Sequence, residues 1–189
     1  MTEATTYRTH TCGALRAEHA SQTVTLCGWV HARRDHGGVR FIDLRDRYGV
    51  TQLVFKAGTP PAELHDEDVI CVSGTVALRP EHGQNPKIQT GDIEVQVATV
   101  EVLAVAKTAP FEIAQEAPVG EDVRLRYRFL DLRRARLQRN ILFRDQRITA
   151  IRAFLHGENI VEVETPILTK STPEGARDYL VPSRLHRGK

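Results

Sequence analysis

Residues 23–55 read TVTLCGWVHARRDHGGVRFIDLRDRYGVTQLVF, and this stretch decides the fold. Apolar and polar residues alternate along it at period two, and turn residues fall between the alternating runs. This alternation is typical of half-buried β-strands joined by short turns. The stretch therefore predicts three consecutive strands, Thr23–Arg33, Val39–Arg45 and Val50–Phe55.

The same alternation continues outward to about Leu103 and predicts two further strands, Val69–Leu78 and Ile93–Leu103, with a helical insert near Pro61–Asp66. Five strands with one short helix predict a mainly β barrel of the OB-fold type. An SH3-like barrel would give much the same pattern. Periodicity alone leaves both barrels open.

The composition changes after the last strand. Residues 106–120 are rich in proline, alanine and glycine and show no sustained periodicity, which is typical of a linker. A basic stretch follows, in which seven arginines between 121 and 139 face only Glu121, Asp122 and Asp131. We therefore expect a barrel domain over residues 1–106, a linker or hinge over 107–139 and the start of a second domain over 140–189.

The last part of the chain predicts a helix leading into a strand. Apolar residues recur at helical spacing from Arg136 to His156, and Gly157 stands where a C-cap would lie. Residues 160–165 then alternate, and Pro166 ends the run because proline cannot donate to a strand ladder.

Composition excludes several classes of protein. With 41% hydrophobic and 26% charged residues in 189, the chain is typical of a folded, water-soluble protein. No apolar run approaches a membrane span and the N-terminus is polar, so we expect a cytoplasmic protein without a membrane partner. The cysteines, Cys12, Cys27 and Cys71, are scattered and predict buried, unpaired thiols. No phosphate-binding loop, nucleophile motif or metal-ligand spacing is present, and no metal site is predicted.

One aromatic residue on a predicted strand suggests a binding surface. On strand Val39–Arg45, Ile42 and Leu44 share one face, while Phe41 lies with charged residues on the other, after several basic residues that include Arg34. An aromatic ring beside cationic groups is what single-stranded nucleic acid needs for stacking and charge neutralisation. The same pattern would also arise if Phe41 packed under a loop.

A second feature is the loop Ser171-Thr-Pro-Glu-Gly-Ala-Arg-Asp-Tyr179. Pro173 and Gly175 flank Glu174 and predict a turn or mobile loop. A carboxylate on such a loop could receive an ammonium group of a ligand. A solvated turn would have the same sequence.

Four stretches together resemble one family, the bacterial-type aspartyl-tRNA synthetases of class II. They are Leu26-Cys-Gly-Trp-Val-His-Ala-Arg-Arg-Asp-His-Gly-Gly38, Arg124-Leu-Arg-Tyr-Arg-Phe-Leu-Asp-Leu-Arg-Arg134, Val163-Glu-Thr-Pro-Ile-Leu-Thr-Lys170 and Ser171-Thr-Pro-Glu-Gly-Ala-Arg-Asp-Tyr-Leu-Val-Pro-Ser-Arg184. The first stretch is shared with asparagine and lysine enzymes, whereas the last is specific for aspartate. The resemblance covers almost the whole chain as an N-terminal portion of such an enzyme.

The resemblance implies roles for individual residues. The barrel would be an OB-fold that binds the tRNA anticodon loop through Arg34, Phe41, Gln52 and Arg79. The helix and the following strand would open the α+β catalytic domain, with Pro166 in the motif that builds a homodimer. Glu174 would contact the amino group of bound aspartate.

The resemblance also implies an activity for the whole enzyme. Such an enzyme activates aspartate with ATP and Mg²⁺ and transfers it to tRNA-Asp. The arginines that hold ATP in this family belong to two later motifs that are absent here. We therefore expect no catalytic residue and no bound cofactor in this stretch, and no aspartyl-adenylate formation by these 189 residues alone.

The tRNA specificity and the class of protein remain open at the level of sequence. His36 matches the residue that members charging both tRNA-Asp and tRNA-Asn carry, whereas His82 stands where those members usually have glycine. The balance leans towards relaxed specificity. The alternatives to a synthetase portion are a stand-alone OB-fold module that binds tRNA or single strands without catalysis, and a truncated paralogue with another substrate.

Overall fold

The computed structural model describes residues 7–56, 63–114, 117–168 and 181–186. Five strands form its first part: β1 (Thr23–His36), β2 (Val39–Arg45), β3 (Val50–Phe55), β4 (Val69–Leu78) and β5 (Ile93–Ala104). Three helices follow, α1 (Glu121–Arg126), α2 (Arg128–Asp131) and α3 (Ala135–Gly157). All five strand predictions agree with the structure, and the longest difference is the extension of β1 to His36.

The strands close into a barrel in the order β1-β2-β3-β5-β4. Every pairing is antiparallel except that of β3 with β5, in which Leu53 lies opposite Val95. This order is that of the OB-fold, so the topology removes the SH3-like alternative. The β1–β2 hairpin turns at Gly37 and Gly38, whose φ angles of 62° and 91° suit the two-residue turn that matches the twist of antiparallel strands.

The inward residues of all five strands fill the barrel. Alternate positions are fully buried, as the period-two pattern predicts, and burial of their apolar surface is the main stabilising term. The largest of these side chains are Leu26, Val30, Leu44, Leu53, Phe55, Ile70, Val72, Val76, Ile93 and Val95.

The loop before β4 differs from the sequence prediction. Residues 63–66, the described part of the expected helical insert, form no helix. The Asp68 carboxylate instead accepts a hydrogen bond from the His65 amide at 2.7 Å, and the Asp68 amide donates to the His65 carbonyl at 3.2 Å. These two bonds close a turn between His65 and Asp68 in place of the expected helix.

The segment after β5 packs on the barrel. Residues 7–138 of the described chain belong to one compact unit, and a second unit begins at Arg139. The Ala106 amide donates to Asp68 at 2.7 Å, and Arg133 forms a 2.6 Å ion pair with Glu67. The Arg133 guanidinium also lies 4.5 Å from the centre of the Trp29 ring. The predicted linker is therefore held at both ends by side chains of the barrel.

A buried carboxylate organises the basic stretch. Asp131 is fully buried, and Arg124 donates to both of its oxygens at 3.2 Å. Arg128 lies 2.9 Å from the same carboxylate and Arg134 lies 3.8 Å from it. Three arginines of this stretch thus neutralise one acidic residue and hold α1 and α2 together.

The second unit consists mainly of helix α3, which matches the predicted helix within one residue at each end. Gly157 is its last residue rather than its left-handed cap. Asn159 takes that role with φ 62°, and the Ile160 amide bonds to the Leu155 carbonyl in the pattern of a Schellman motif. No helix within the described residues is both long and apolar enough to span a membrane.

Residues 160–166, for which a strand is predicted, are not in any sheet of the described chain. Val161 and Val163 are largely exposed. A strand forms only where another strand accepts its backbone hydrogen bonds, and no described residue offers a ladder to this segment. Glu162 in this segment forms an ion pair with Arg152 at 2.8 Å.

Candidate nucleic-acid interface

Phe41 lies on the outer face of β2. Its neighbour Ile42 is buried in the core, while Phe41 itself is half-buried and faces away from it. Arg34 of β1 lies directly opposite Phe41 in the strand register. The His36 ring lies 6.1 Å from the Phe41 ring at an interplanar angle of 66°, an edge-on contact. One aromatic ring, one guanidinium and one imidazole therefore meet at the end of the β1–β2 hairpin.

Polar side chains continue from Arg34 across three strands. Arg34 Nη2 donates to Asp43 Oδ1 at 2.8 Å and to Gln52 Oε1 at 3.2 Å. Gln52 Nε2 in turn donates to Glu94 Oε2 at 3.0 Å. Because each side chain fixes the next, the rotamers on this face are set before any ligand arrives. We call Arg34, Asp43, Gln52, Arg79 and Glu94 the interface cluster.

Arg79 joins the interface cluster from the end of β4. Its Nε donates to the Ile93 carbonyl at 2.7 Å, and its Nη1 lies 3.4 Å from the Gly83 carbonyl. Burial lowers the pKa of Arg79 from its ordinary value, while the charges of Asp43 and Glu94 act in the opposite direction. Its Nη2 is buried without a hydrogen-bond acceptor in the described residues. Arg79 thus keeps one charged N–H group that makes no hydrogen bond to the described residues.

The arrangement suits an unpaired nucleotide. A ring offers a face for stacking, and adjacent arginines offer charge and fixed donors. Asp43 and Glu94 offer acceptors, which base amino groups require. Phe41 and the interface cluster together therefore offer stacking, charged donors and carboxylate acceptors, the contacts that recognise single-stranded RNA.

The structure brings together only some of the residues that the sequence predicts. Arg34 and Gln52 share a hydrogen bond, Phe41 lies opposite Arg34 in the strand register, and the His36 ring contacts Phe41. Arg79 lies at the end of β4, where it bonds to the Ile93 carbonyl. His82 lies exposed in the single-turn helix Glu81–Gly83, and no hydrogen bond or ring contact reaches it from the described residues.

Two of the predicted residues, Pro166 and Glu174, do not belong to the barrel. Pro166 lies in the exposed segment that follows α3. Glu174 lies outside the described residues.

Asp43 and Glu94 are the two members of the interface cluster to which the sequence prediction gave no role. The alternation of β5, with Ile93 and Val95 inward, puts Glu94 on the outer face. Its contact with Gln52 depends on the parallel pairing of β3 with β5, which joins residues 42 positions apart. Alternation alone does not reveal that pairing.

Two family models match the chain. A model of OB-fold nucleic-acid-binding domains matches residues 24–103, and a model described as tRNA synthetases class II (D, K and N) matches residues 120–189. Together they account for the barrel with its interface cluster and for the region that follows it. The chain is therefore similar to class II tRNA synthetases over residues 120–189 and to OB-fold nucleic-acid-binding domains over residues 24–103.

Bacterial proteins are similar to this chain along almost its whole length. It is 55% identical over 188 residues to a protein of Rubrobacter xylanophilus named aspartate–tRNA(Asp/Asn) ligase, covering 97% of this chain and 31% of that protein. A protein of the same name from Chlorobium chlorochromatii is 52% identical, again with 97% and 31% coverage. The chain thus spans about a third of the length of the ligases that it matches.

Solved structures agree with the fold. The asparaginyl-tRNA synthetase of Pyrococcus horikoshii in complex with asparaginyl-adenylate superposes with a TM-score of 0.73 at 26% identity, over 87% of this chain and 38% of that one. The aspartyl-tRNA synthetase of Entamoeba histolytica gives a TM-score of 0.67 at 24% identity, over 84% and 39%. The latter likeness concerns the fold alone.

Proposed function

We propose that this chain is the tRNA-recognition portion of an aspartate–tRNA ligase and that its interface cluster binds the anticodon loop. The observation that carries the proposal is the set of hydrogen bonds that joins Arg34 to Asp43 and Gln52, and Gln52 to Glu94, beside the Phe41 ring. The names of the bacterial relatives support the aspartate assignment. The whole protein would activate aspartate with ATP and charge tRNA-Asp in the cytoplasm.

Binding of an anticodon stem–loop tests this function. The chain should bind the stem–loop of tRNA-Asp more tightly than one with the same stem and a scrambled loop, because the loop bases contact the cluster. Phosphate contacts should make log Kd rise linearly with log salt for both RNAs. Fluorescence anisotropy at several salt concentrations measures both quantities. Equal affinity for the two loops would refute anticodon recognition.

The alternative function is a stand-alone OB-fold module that binds tRNA or single strands without catalysis. It gains no support from residues 120–189, which match the class II synthetase model rather than a second binding module. Equal affinity for the two loops would favour a module that binds single strands. A module that binds tRNA is distinguished from a ligase by aminoacylation of tRNA-Asp by the full-length protein. A truncated paralogue with another substrate has no observation in its favour.

The position of His36 supports a proposal about the tRNA specificity. Because its ring touches Phe41, His36 lies beside the base that Phe41 would stack on. We propose that the full-length enzyme charges both tRNA-Asp and tRNA-Asn, in accordance with the names of the relatives. Aminoacylation of the two purified tRNAs measures this directly. Charging of tRNA-Asp alone would show that His36 is compatible with strict specificity.

The catalytic half of the proposal depends on sequence more than on geometry. Glu174 would receive the amino group of aspartate, and Pro166 would belong to the interface of a homodimer. No group of three or more His, Cys, Asp or Glu side chains in the described ranges is arranged to hold a metal ion. We derive no chemical step through ATP or Mg²⁺.

A further inference from the structure

Cys27 and Cys71 are neighbours in space, although they lie far apart in the sequence. They occupy directly opposed positions of the antiparallel strands β1 and β4. Side chains at such positions have Cβ atoms about 4.5–5.5 Å apart, close to the separation that a disulfide spans. Both cysteines are free and half-buried, whereas Cys12 is fully buried. The expectation of unpaired thiols is confirmed for all three cysteines, whereas full burial holds for Cys12 and not for this pair.

The two sulfurs converge on one atom. Cys27 Sγ lies 2.9 Å from the Tyr7 carbonyl oxygen and Cys71 Sγ lies 3.5 Å from it, so both thiols donate to the same acceptor. The segment that carries Tyr7 is fixed in turn, because the Thr9 amide donates to Thr25 of β1 at 2.9 Å. The convergence is thus built into the fold rather than left to free side-chain rotation.

Burial raises the pKa of the Cys27 thiol to about 12, and its contact with the Cys71 thiol acts in the same direction. The thiolate is the nucleophilic form of cysteine, so Cys27 reacts slowly with an oxidant at neutral pH. Whichever sulfur reacts first, the other lies next to the product.

We propose that Cys27 and Cys71 form an oxidisable dithiol site that peroxides convert to a disulfide between β1 and β4. One of the two sulfurs attacks hydrogen peroxide, the O–O bond breaks, and a sulfenic acid and one water form. The other sulfur then attacks the sulfenic sulfur, the S–O bond breaks, and a second water leaves. Two thiols lose two electrons and two protons, and peroxide accepts them.

Closure of the disulfide would change the N-terminal segment. The Tyr7 carbonyl loses both thiol donors at once, because neither sulfur carries a hydrogen afterwards. The attachment through Thr9 and Thr25 remains, as does the bond from the Cys12 amide to Asp46 at 2.8 Å. Oxidation should therefore loosen the chain at Tyr7 and leave the barrel intact.

Thiol counting after peroxide treatment tests the site. The wild-type chain has three cysteines, and brief exposure to hydrogen peroxide should leave one titratable thiol after unfolding. Peptide mapping without reductant should recover Cys27 linked to Cys71. The Cys12→Ser variant should go from two thiols to none, whereas Cys71→Ser should form no intramolecular disulfide.

A second probe does not depend on oxidation. Phenylarsine oxide bridges two adjacent thiols with loss of water, so one equivalent should bind to the wild type and to Cys12→Ser and resist washing. It should not bind to Cys71→Ser or Cys27→Ser. A disulfide that includes Cys12, oxidation of single sulfurs without a disulfide, or arsenical binding to Cys71→Ser or Cys27→Ser would each overturn the proposal.

Discussion

Replacing Asp131 by alanine should lower the free energy of opening the α1–α2 segment by about 3 kcal/mol, near the lower end of the range for breaking a buried ion pair. The carboxylate is fully buried and is shared by Arg124, Arg128 and Arg134. Without it, three like charges face each other across a small volume. The estimate stays at the lower end because two of the arginines are already partly exposed and can turn to water.

Hydrogen exchange measures this effect where it occurs. Amides of residues 121–134 should exchange on the order of 100-fold faster in Asp131→Ala, the factor that corresponds to this loss. Amides of strand β4 should keep their protection, since the barrel core does not depend on this carboxylate. Asp122→Ala is the matched control, because Asp122 is an exposed acidic residue in the first turn of α1. Its removal should cost about 0.3–1 kcal/mol. Unchanged exchange in Asp131→Ala would mean that the arginine contacts do not hold the segment.

Replacing Phe41 by alanine should weaken binding of the anticodon stem–loop by about 1–3 kcal/mol, a factor of about 5 to 150 in Kd. The ring is the phenyl stacking surface beside the interface cluster, and the His36 imidazole contacts it edge-on. Alanine leaves the charges of Arg34 and Arg79 in place, so the salt dependence of binding should remain as in the wild type. A lower affinity with an unchanged salt slope is therefore the signature of lost stacking.

Tyr48→Ala is the matched control for this experiment. Tyr48 is an exposed aromatic residue in the turn between β2 and β3, beyond Arg45, which lies roughly 13 Å from Phe41 along β2. Its removal should leave the affinity within a factor of about two, since it cannot touch a base held at the interface cluster. Thermal unfolding of both variants establishes that the barrel is intact. Equal binding by folded Phe41→Ala and wild type would exclude the stacking role.

The sequence predicts the strands better than their arrangement. Alternation reports which residues of a strand are buried, and this local property locates all five strands. The barrel type depends instead on which edges meet, and the decisive edge is the short parallel pairing of Leu53 and Val54 with β5. Such a pairing joins distant residues and leaves no periodic pattern in either strand. The OB-fold and the SH3-like barrel therefore look alike until the register is known.

In the candidate site, too, the sequence predicts the residues that stand out locally and misses those whose contacts depend on strand pairing. Phe41 stands out in the sequence because an aromatic residue occupies the polar face of a strand, and the structure has it on that face. Glu94 does not stand out, because a carboxylate on an outer strand face is ordinary. The segment 160–166 alternates as a strand should, yet remains unpaired because alternation cannot supply a partner strand.

The contact between Arg133 and Trp29 makes the attachment of the hinge visible to spectroscopy. Trp29 is the only tryptophan of the chain, so all indole emission comes from the point where the segment after β5 touches the barrel. A guanidinium on the ring shields it from small quenchers such as acrylamide. The quenching rate of this single fluorophore therefore reports, without any label, whether the hinge is docked when tRNA binds.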